Sequence, residues 1–286
     1  MVLVSDFGLE QACDAAGKPD VNMADLILLS FDAEEFDIPE EFGRAVPEAT
    51  QFEVGSRGLR TVLDLLDRLD VRATFFTTAR IAEHAPDLVR RIVARHELAS
   101  HGYHHSRWDD ADLVRSREAL EALGGGAVTS FRRARFAPTD HRLIAAAGYR
   151  CNSSENPIWM PGRYNNLGRP RVAYYSGELL NVPISASPVV RLPLFWLAFK
   201  NFPQRLIHAA SSWTLRHDGY LNVFWHPWEF VDITAFGLPG YITRRCGQPM
   251  LDRLERYIRH LQPRGRFATF TEFDAHWRQH HPPRPA

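Results

Sequence analysis

The feature of this sequence that most constrains its fold is a regular alternation between buried strands and amphipathic helices. The first strand, Leu26–Phe31, is predicted from a continuous apolar run of the kind buried on both faces of a sheet. Further strands are predicted over 71–77, 97–100, 127–131, 149–152, 179–184, 220–225 and 266–270. About eight strands that alternate with helices indicate a parallel sheet or a (β/α) barrel.

The helices between these strands are predicted from caps and apolar stripes. Ser56 can cap a helix that carries its stripe from Leu59 to Leu69, and Pro86 fits the first turn of the next helix. The other helices are predicted over 111–123, 139–147, 203–217, 249–261 and 272–279. Two stretches are predicted to be loops, the acidic segment 35–55 and the long segment 153–178, whose length indicates a substrate-facing insertion.

Four predicted strands are each followed, at the carboxyl end, by a polar residue of a type that is common in active sites. These residues are Asp32, His101, Arg132 and His226. In a barrel the carboxyl ends of all strands share one rim, where active sites are assembled. The pattern therefore predicts that the four side chains meet at one site.

His101 and His105 are the strongest candidates for a metal site. Their spacing of four residues lets one helical turn or a tight loop place both imidazoles on one face. Neutral imidazole is the commonest ligand for a divalent transition metal, and Asp32-Ala33-Glu34-Glu35 offers carboxylates nearby. Two imidazoles and one carboxylate would leave a zinc-like ion with open positions for water and substrate. A polar surface turn is the alternative interpretation.

Composition excludes several classes of function. The chain has 286 residues, 45% of them hydrophobic, and a formal net charge of zero, so there is no bulk attraction to nucleic acid or to an anionic membrane. Cys13, Cys151 and Cys246 are far apart and are predicted to be free thiols of a reducing compartment. Residues 1–24 are predicted to form an N-terminal arm that is not a secretory signal. Because the longest apolar stretch, Leu192–Phe199, is too short to span a bilayer, a soluble cytoplasmic protein is expected.

Several segments resemble the motifs of one family. Ser30-Phe31-Asp32 resembles Thr-Phe-Asp-Asp, and His101-Gly102-Tyr103-His104-His105 matches His-x-x-x-His. Phe131-Arg132-Arg133-Ala134 takes the place of Phe-Arg-x-Pro, and Leu221-Asn222-Val223-Phe224-Trp225-His226-Pro227 resembles an apolar strand that ends in His. Gly148-Tyr149-Arg150-Cys151-Asn152-Ser153-Ser154 is similar to Gly-Tyr-x-Tyr-Asp-Ser-Ser. From about Leu26 to Phe273 the chain thus resembles the polysaccharide deacetylase (NodB-homology) family, carbohydrate esterase family 4.

The resemblance implies a distorted (β/α)7-8 barrel over residues 25–286 that removes an acetyl group from an N-acetylated sugar or glycoconjugate by attack of a metal-bound water. It implies that Asp32 is the general base, that His226 is the general acid, and that Arg132 holds Asp32 ionised. His101 and His105 would bind the divalent ion, with Zn2+ preferred over Co2+, Ni2+ or Mn2+. A carboxylate that accepts the proton of water and an imidazole that protonates the leaving amine suit these roles chemically.

The first departure from the family pattern concerns the metal. Ala33 stands where the family has a second Asp. Glu34 is therefore proposed as the third ligand, with Glu35 and Asp37 as weaker candidates. The alternative is that all three are solvated acids of a loop.

Two further departures concern the residues around the base and the acid. Ala134 replaces the proline of the third motif, so that Arg135 could compete with Arg132. The fourth motif's Asp-Trp pair has no clear match, which leaves His226 without an assigned partner; Glu229 is near it only in sequence.

Four side chains are predicted to bind the substrate, namely Tyr103, Arg135, Trp196 and Trp228. The favoured function is a metal-dependent N-deacetylase whose partner is an acetylated sugar, and a homo-oligomer is compatible with the sequence. One alternative is a metal-independent hydrolase of cyclic amides or ureides, allantoinase- or imidase-like. Another is an inactive barrel that binds glycans, which the intact Asp32 and His226 disfavour.

Overall fold

The computed structural model describes residues 25–283, so the predicted N-terminal arm over 1–24 lies outside the described residues. The strands are β1 (Leu26–Ala33), β2 (Thr74–Thr77), β3 (Glu97–Ser100), β4 (Ser130–Phe131), β5 (Cys151–Asn152), β6 (Trp159–Met160), β7 (Tyr164–Asn165), β8 (Tyr174–Ser176), β9 (Leu179–Asn181), β10 (Tyr220–Trp225) and β11 (Arg266–Phe267). The helices are α1 (Glu48–Leu69), α2 (Ala79–His84), α3 (Pro86–Arg95), α4 (Asp112–Gly124), α5 (His141–Ala146), α6 (Trp196–Asn201), α7 (Gln204–Asp218), α8 (Gly240–Thr243), α9 (Gln248–Leu261) and α10 (Phe270–His280).

The main sheet follows the order β10-β1-β2-β3-β4-β5-β9-β8, and β11 pairs with the start of β1. Every pairing along this path is parallel apart from that of β8 with β9. The sheet curls, and Asn222 of β10 bridges the seam by donating from Nδ2 to the carbonyls of Val182 and Pro183, just after β9. The fold is the distorted (β/α) barrel that the sequence predicted.

Strand β1 lies at the centre of the barrel wall and is buried over its whole length. Ile27, Leu29 and Phe31 belong to the cluster formed with the stripe of α1, whereas Leu26 and Leu28 belong to a second cluster that fills the barrel interior. Successive side chains of a strand point to opposite faces, so a strand buried on both faces is mostly apolar at successive positions, and Ser30 and Asp32 are the buried polar exceptions in β1. This is why β1 reads as a continuous apolar run.

Each predicted strand is present, but two loop predictions were wrong in part. Helix α1 begins at Glu48, so the predicted loop over 35–55 is helical in its second half. Gly55 and Gly58 interrupt the apolar period of this helix and have low helix propensity. Both allow close packing, because a Cβ atom would meet the backbone of Glu34 at Gly55 and of Pro227 at Gly58. The predicted loop over 153–178 contains the antiparallel hairpin β6–β7 and strand β8.

Two further predictions from composition concern membrane spans and thiols. Among residues 25–283, no helix combines the length and the apolarity needed to cross a bilayer. Cys151 and Cys246 are free thiols, and Cys13 lies outside the described residues. The division into an arm and a single catalytic domain over 25–286 stays a prediction.

Candidate active site

Asp32 is the last polar residue of β1, and Arg132, just after β4, holds it in place. Oδ1 of Asp32 accepts a hydrogen bond of 2.5 Å from Nη1 of Arg132, while Nη2 donates to Oγ of Ser30 and of Ser153. The guanidinium is fully buried and lies 4.0 Å from the centre of the Phe76 ring. A guanidinium with this many fixed contacts locks the carboxylate in one orientation. The other oxygen of Asp32, Oδ2, faces the pocket and lies 3.9 Å from Nε2 of His101.

Glu34, His101 and His105 converge beside Asp32. Oε2 of Glu34 lies 3.2 Å from Nε2 of His101 and 3.1 Å from Nε2 of His105, and all three ligand atoms lie within 4.8 Å of one another. Oε2 is buried and receives no hydrogen bond of ordinary geometry from residues 25–283. An orphaned carboxylate oxygen between two ring nitrogens is the arrangement that a divalent cation would satisfy.

The second nitrogen of each imidazole supports this fit. Nδ1 of His101 lies 2.8 Å from the carbonyl oxygen of Arg132, which can only accept, so Nδ1 carries the proton. Nδ1 of His105 lies 2.7 Å from Oδ1 of Asp37 and donates to it in the same way. Each Nε2 is thereby left to face Glu34 as a potential ligand, and such outer partners are typical of metal-binding histidines.

The three groups influence one another's ionisation. Burial opposes the charge on Glu34, but His105 and His226 hold the pKa of its carboxyl below its ordinary value. Burial likewise opposes the charge on His105, but Glu34 and Asp37 raise the pKa of its imidazole to about 9. A metal ion would have to displace a proton from this cluster, so its binding should weaken as the pH falls.

His226 follows β10 and lies across the pocket from Asp32. Its Nδ1 is 3.4 Å from Oε1 of Glu229, and its Nε2 is 3.9 Å from Oε1 of Glu34. Its ring stacks on Trp228 at 4.8 Å and meets Trp196 edge-on at 5.0 Å. Burial lowers the pKa of the imidazole, but Glu34 and Glu229 outweigh this effect and raise it above its ordinary value. His226 thus keeps its proton to a higher pH than a free imidazole and lines the pocket.

The pocket has a polar floor and apolar walls. The floor is formed by the groups described above, and the walls are formed by Ile38, Phe136, Met160, Tyr164, Phe195, Trp196, Leu197, Phe224 and Trp228. Arg135 and Arg163 stand at the mouth, where both pair with Glu41. The space between these walls, counted to the open mouth, is about 620 Å3. The chain at Arg135 and Phe136 is left-handed, with φ of 58° and 52°, which is strained backbone at the rim.

The structure brings together nearly all of the predicted site residues. Asp32, Glu34, His101, His105, Arg135, Trp196, His226 and Trp228 line one pocket, and Arg132 lies directly behind Asp32. Tyr103 is the exception, because its hydroxyl donates to Glu83 at 2.7 Å and Arg115 covers its ring at 4.5 Å. Its assignment to the substrate is therefore corrected. Arg135 does not compete with Arg132 for Asp32, since it binds Glu41 and Asp37 instead.

Three residues that matter at the site were missed or undervalued in the sequence. Asp37 supports His105, Glu229 supports His226, and Lys200 pairs with Glu229 at 3.0 Å. A lysine inside the aromatic stretch around Phe199 was the available signal for Lys200, because a cation in such a setting is buried only when it is paired. The partner of His226 lay on the turn that follows it, a short-range contact that sequence distance alone could not establish.

Residues 27–150 match the family model for polysaccharide deacetylase. Over these residues the chain is similar to the polysaccharide deacetylase family. The matched segment of the deacetylase barrel carries Asp32, Glu34, His101, His105 and Arg132. His226 lies beyond it, in the part of the barrel that the structure alone connects to the site.

Solved structures share this fold over most of the chain. A proposed polysaccharide deacetylase from Mycobacterium smegmatis superposes over 91% of this chain and 94% of its own, with a TM-score of 0.63 and 19% identity. PuuE allantoinase superposes over 91% of this chain and 92% of its own, with a TM-score of 0.62 and 18% identity. An uncharacterised 30.6 kDa protein from Geobacillus stearothermophilus is 35% identical over 63 residues, which span 22% of this chain and 24% of that protein. At these identities the solved structures establish the fold, and the reaction must be argued from the site.

Proposed function

We propose that this protein is a metal-dependent hydrolase that removes the acetyl or another N-acyl group from an N-acetylated sugar or glycoconjugate. The observation that carries the proposal is the orphaned Oε2 of Glu34 between two correctly oriented imidazoles, with a carboxylate on one side and an imidazole on the other. Glu34, His101 and His105 would hold the ion, with Zn2+ as the first candidate because nitrogen and oxygen ligands in this number suit it.

Each residue has a defined part in such a reaction. A divalent ion held by Glu34 and the two imidazoles would polarise the amide carbonyl and make water more acidic. Asp32 accepts the proton of the attacking water at Oδ2, because Oδ1 is occupied by Arg132. His226 donates a proton from Nε2 to the leaving nitrogen, since its Nδ1 faces Glu229.

The walls of the pocket would orient the substrate. Trp196 borders the pocket beside His226, and aromatic rings pack well on the apolar faces of sugars, whereas Trp228 is buried with its face against the His226 ring. The Arg135 side chain stands at the mouth, 29% exposed and paired with Glu41, where a polar substituent of the substrate could meet it. Asp32 and His226 are buried in the floor, so bulk water screens their charges little and the electrostatic interactions among them are strong.

The proposal is tested by metal content and amide hydrolysis together. Purified protein should hold close to one divalent ion per chain and should release acetate from an N-acetylated sugar, and a chelator should abolish both. His101→Ala should lose ion and activity, whereas the matched control His104→Ala should keep both, because His104 lies in the same motif but outside this pocket. Equal metal content in the wild type and His101→Ala would overturn the assignment of the site.

A second candidate function is a metal-independent hydrolysis of cyclic amides or ureides. It is favoured by the direct contact of Glu34 with two imidazoles at 3.2 and 3.1 Å, which two protonated imidazoles could satisfy without an ion, and by the similarity in fold to PuuE allantoinase. Hydantoin, dihydrouracil and allantoin are suitable probes. Full turnover of one of them by chelator-treated, metal-free protein would favour this candidate over the deacetylase.

A further inference from the structure

Lys200 is a cation buried completely in the protein, on α6 behind the pocket. Its exposed fraction is 0%, and so is that of Glu229. Nζ of Lys200 lies 3.0 Å from Oε2 of Glu229 and donates to the carbonyl of Ile242 at 2.7 Å and to Sγ of Cys246 at 3.1 Å. Lysine is almost never buried to this degree unless its charge has a specific partner. The partner here is Glu229.

The two carboxylate oxygens of Glu229 have different partners. Oε2 faces Lys200, whereas Oε1 accepts the backbone N–H of His226 at 2.9 Å and lies 3.4 Å from Nδ1 of the same residue. Burial opposes the charge on Glu229, but Lys200 and His226 hold the pKa of its carboxyl below the ordinary value. The carboxylate is therefore a fixed acceptor beside the inner face of the His226 ring.

We propose that Lys200 and Glu229 form a buried positioning pair that fixes the ring and the tautomer of His226. In its kinetic consequence this inference rests on the proposed function, in which His226 is the general acid. Glu229 holds the proton of Nδ1, so the proton that leaves for the substrate nitrogen comes from Nε2. Lys200 acts through Glu229, because a buried carboxylate that lost its cation would be stranded without charge compensation.

The same cation borders both aromatic walls beside His226. Nζ of Lys200 lies 5.2 Å from the centre of the Trp196 ring and 5.3 Å from that of Trp228. Cations attract the faces of such rings, so Lys200 stabilises the two indoles that enclose the His226 imidazole. One buried charge thus supports the acid through its carboxylate and through its aromatic neighbours.

Three variants test the roles of Lys200 and Glu229, singly and together. Lys200→Met keeps most of the length of the side chain and removes the charge, and Glu229→Gln keeps the shape and removes the anion. The double variant carries both changes and leaves no stranded charge. Cys246→Ala is the matched control, because it removes another contact of Lys200 at 3.1 Å but leaves the pair with Glu229 intact.

The direct readout is the tautomer of His226, observed by nitrogen-15 NMR of histidine-labelled protein under conditions in which the ring is neutral. The wild type and Cys246→Ala should show one tautomer, with the proton on Nδ1. Glu229→Gln and Lys200→Met should show a mixture of the two tautomers. A purely structural pair would change the melting temperature without changing the tautomer.

The kinetic readout is the contrast between an N-acetyl amide and an activated acetate ester. Glu229→Gln and Lys200→Met should lower kcat for the amide by about 10-fold or more, and that for the ester far less, because the ester's leaving group departs without a proton. The double variant should be no slower than Glu229→Gln, since the two residues act as one unit. It should also melt above Lys200→Met, in which Glu229 is stranded.

An unchanged tautomer in folded Glu229→Gln and Lys200→Met would overturn the positioning role. If Lys200→Met does not fold, Glu229→Gln and the double variant decide the same question. Absence of amide hydrolysis in the wild type would count against the proposed function alone, because the tautomer measurement does not depend on any substrate.

Discussion

The two oxygens of the Asp32 carboxylate have different surroundings, and this difference determines what the residue can do. Oδ1 is bonded to a guanidinium that is itself fixed by two serine hydroxyls, whereas Oδ2 faces the pocket beside His101. A base held by one oxygen can present the lone pairs of the other in a constant direction. Preorganisation of this kind is what distinguishes a catalytic carboxylate from a merely buried one.

We expect Asp32→Asn to lower kcat on the order of 10²–10⁴-fold, because the amide keeps the size of the carboxylate but cannot accept a proton at neutral pH. The metal content should be unchanged, since Glu34, His101 and His105 are the proposed ligands. Steady-state kinetics and elemental analysis of the same preparation measure both quantities. Loss of the ion in Asp32→Asn would instead identify Asp32 as a ligand.

Asp37 provides a second prediction at this scale. It is bonded to Nδ1 of His105, so Asp37→Ala should lower metal affinity by about 10-fold or more through the loss of ring orientation. Glu34→Ala should lower it further, because a ligand oxygen is removed directly. Glu35→Ala is the control: its carboxylate accepts from Thr78 at 2.7 Å, and its removal should change affinity little.

Competition titration against a chelating dye would rank the three variants. If Asp37→Ala lost more affinity than Glu34→Ala, the third ligand would be Asp37 rather than Glu34. Glu34 and Asp37 are only three residues apart in sequence, and the sequence by itself favoured Glu34 without excluding Asp37.

At the scale of elements, the site depends on how closely α1 approaches the turn after β10. Gly58 of α1 faces Pro227, and a Cβ atom at Gly58 would lie only 2.0 Å from the carbonyl oxygen of Pro227. That turn carries His226, Trp228 and Glu229. The helix therefore determines, from outside the barrel, the position of His226, which we propose as the general acid, and of Glu229.

Gly58→Ala should lower the free energy of unfolding by about 1–3 kcal/mol, because backbone must shift to admit the methyl group. It should also lower kcat by about 10-fold or more through displacement of His226, although Gly58 touches no part of the pocket floor. Gly240→Ala is the control, since among the described residues no atom lies within 4 Å of its Cβ position. Full activity in a destabilised Gly58→Ala protein would show that the turn adapts without moving the acid.

The elements that the sequence predicted well are the strands that are buried on both faces. Strand β1 and strand β10 are buried throughout, so their apolar runs identify them and place Asp32 and His226 at their carboxyl ends. The start of α1 was missed because Gly55 and Gly58 serve packing across the barrel, a long-range requirement that local propensity does not contain. Lys200 and Glu229 could not be paired from the sequence, since only the folded turn brings them together.

At the scale of the whole molecule, stability should depend on pH through His96, which is distant from the active site. Nδ1 of His96 accepts the N–H of Ala73 at 3.3 Å, and burial together with nearby arginines lowers the pKa of the ring to about 4, against 6.5 for the free side chain. The unfolded chain thus binds a proton at higher pH than the folded chain. Stability contributed by the neutral ring is present above pH 6.5 and is lost as the pH falls toward 4.

Chemical denaturation at pH 7 and pH 5 measures this effect. Between these values His96 should reduce the free energy of unfolding on the order of 2 kcal/mol. His96→Asn retains an acceptor for Ala73 and removes the titration, so its loss of stability over the same interval should be smaller by that amount. An identical loss in the wild type and in the variant would assign the pH dependence to other groups.

The pairing of β1 on both of its edges has a consequence for biosynthesis. One edge pairs with β2 and β11, and the other pairs with β10 from Leu26 to Phe31. A ribosome that has delivered the four proposed metal-site and base residues, Asp32, Glu34, His101 and His105, has not yet delivered Tyr220–Trp225, so the nascent chain carries an apolar strand with an open edge for most of its synthesis. Such edges are templates for association with other chains. The early part of this protein should consequently require protection by chaperones until the tenth strand emerges.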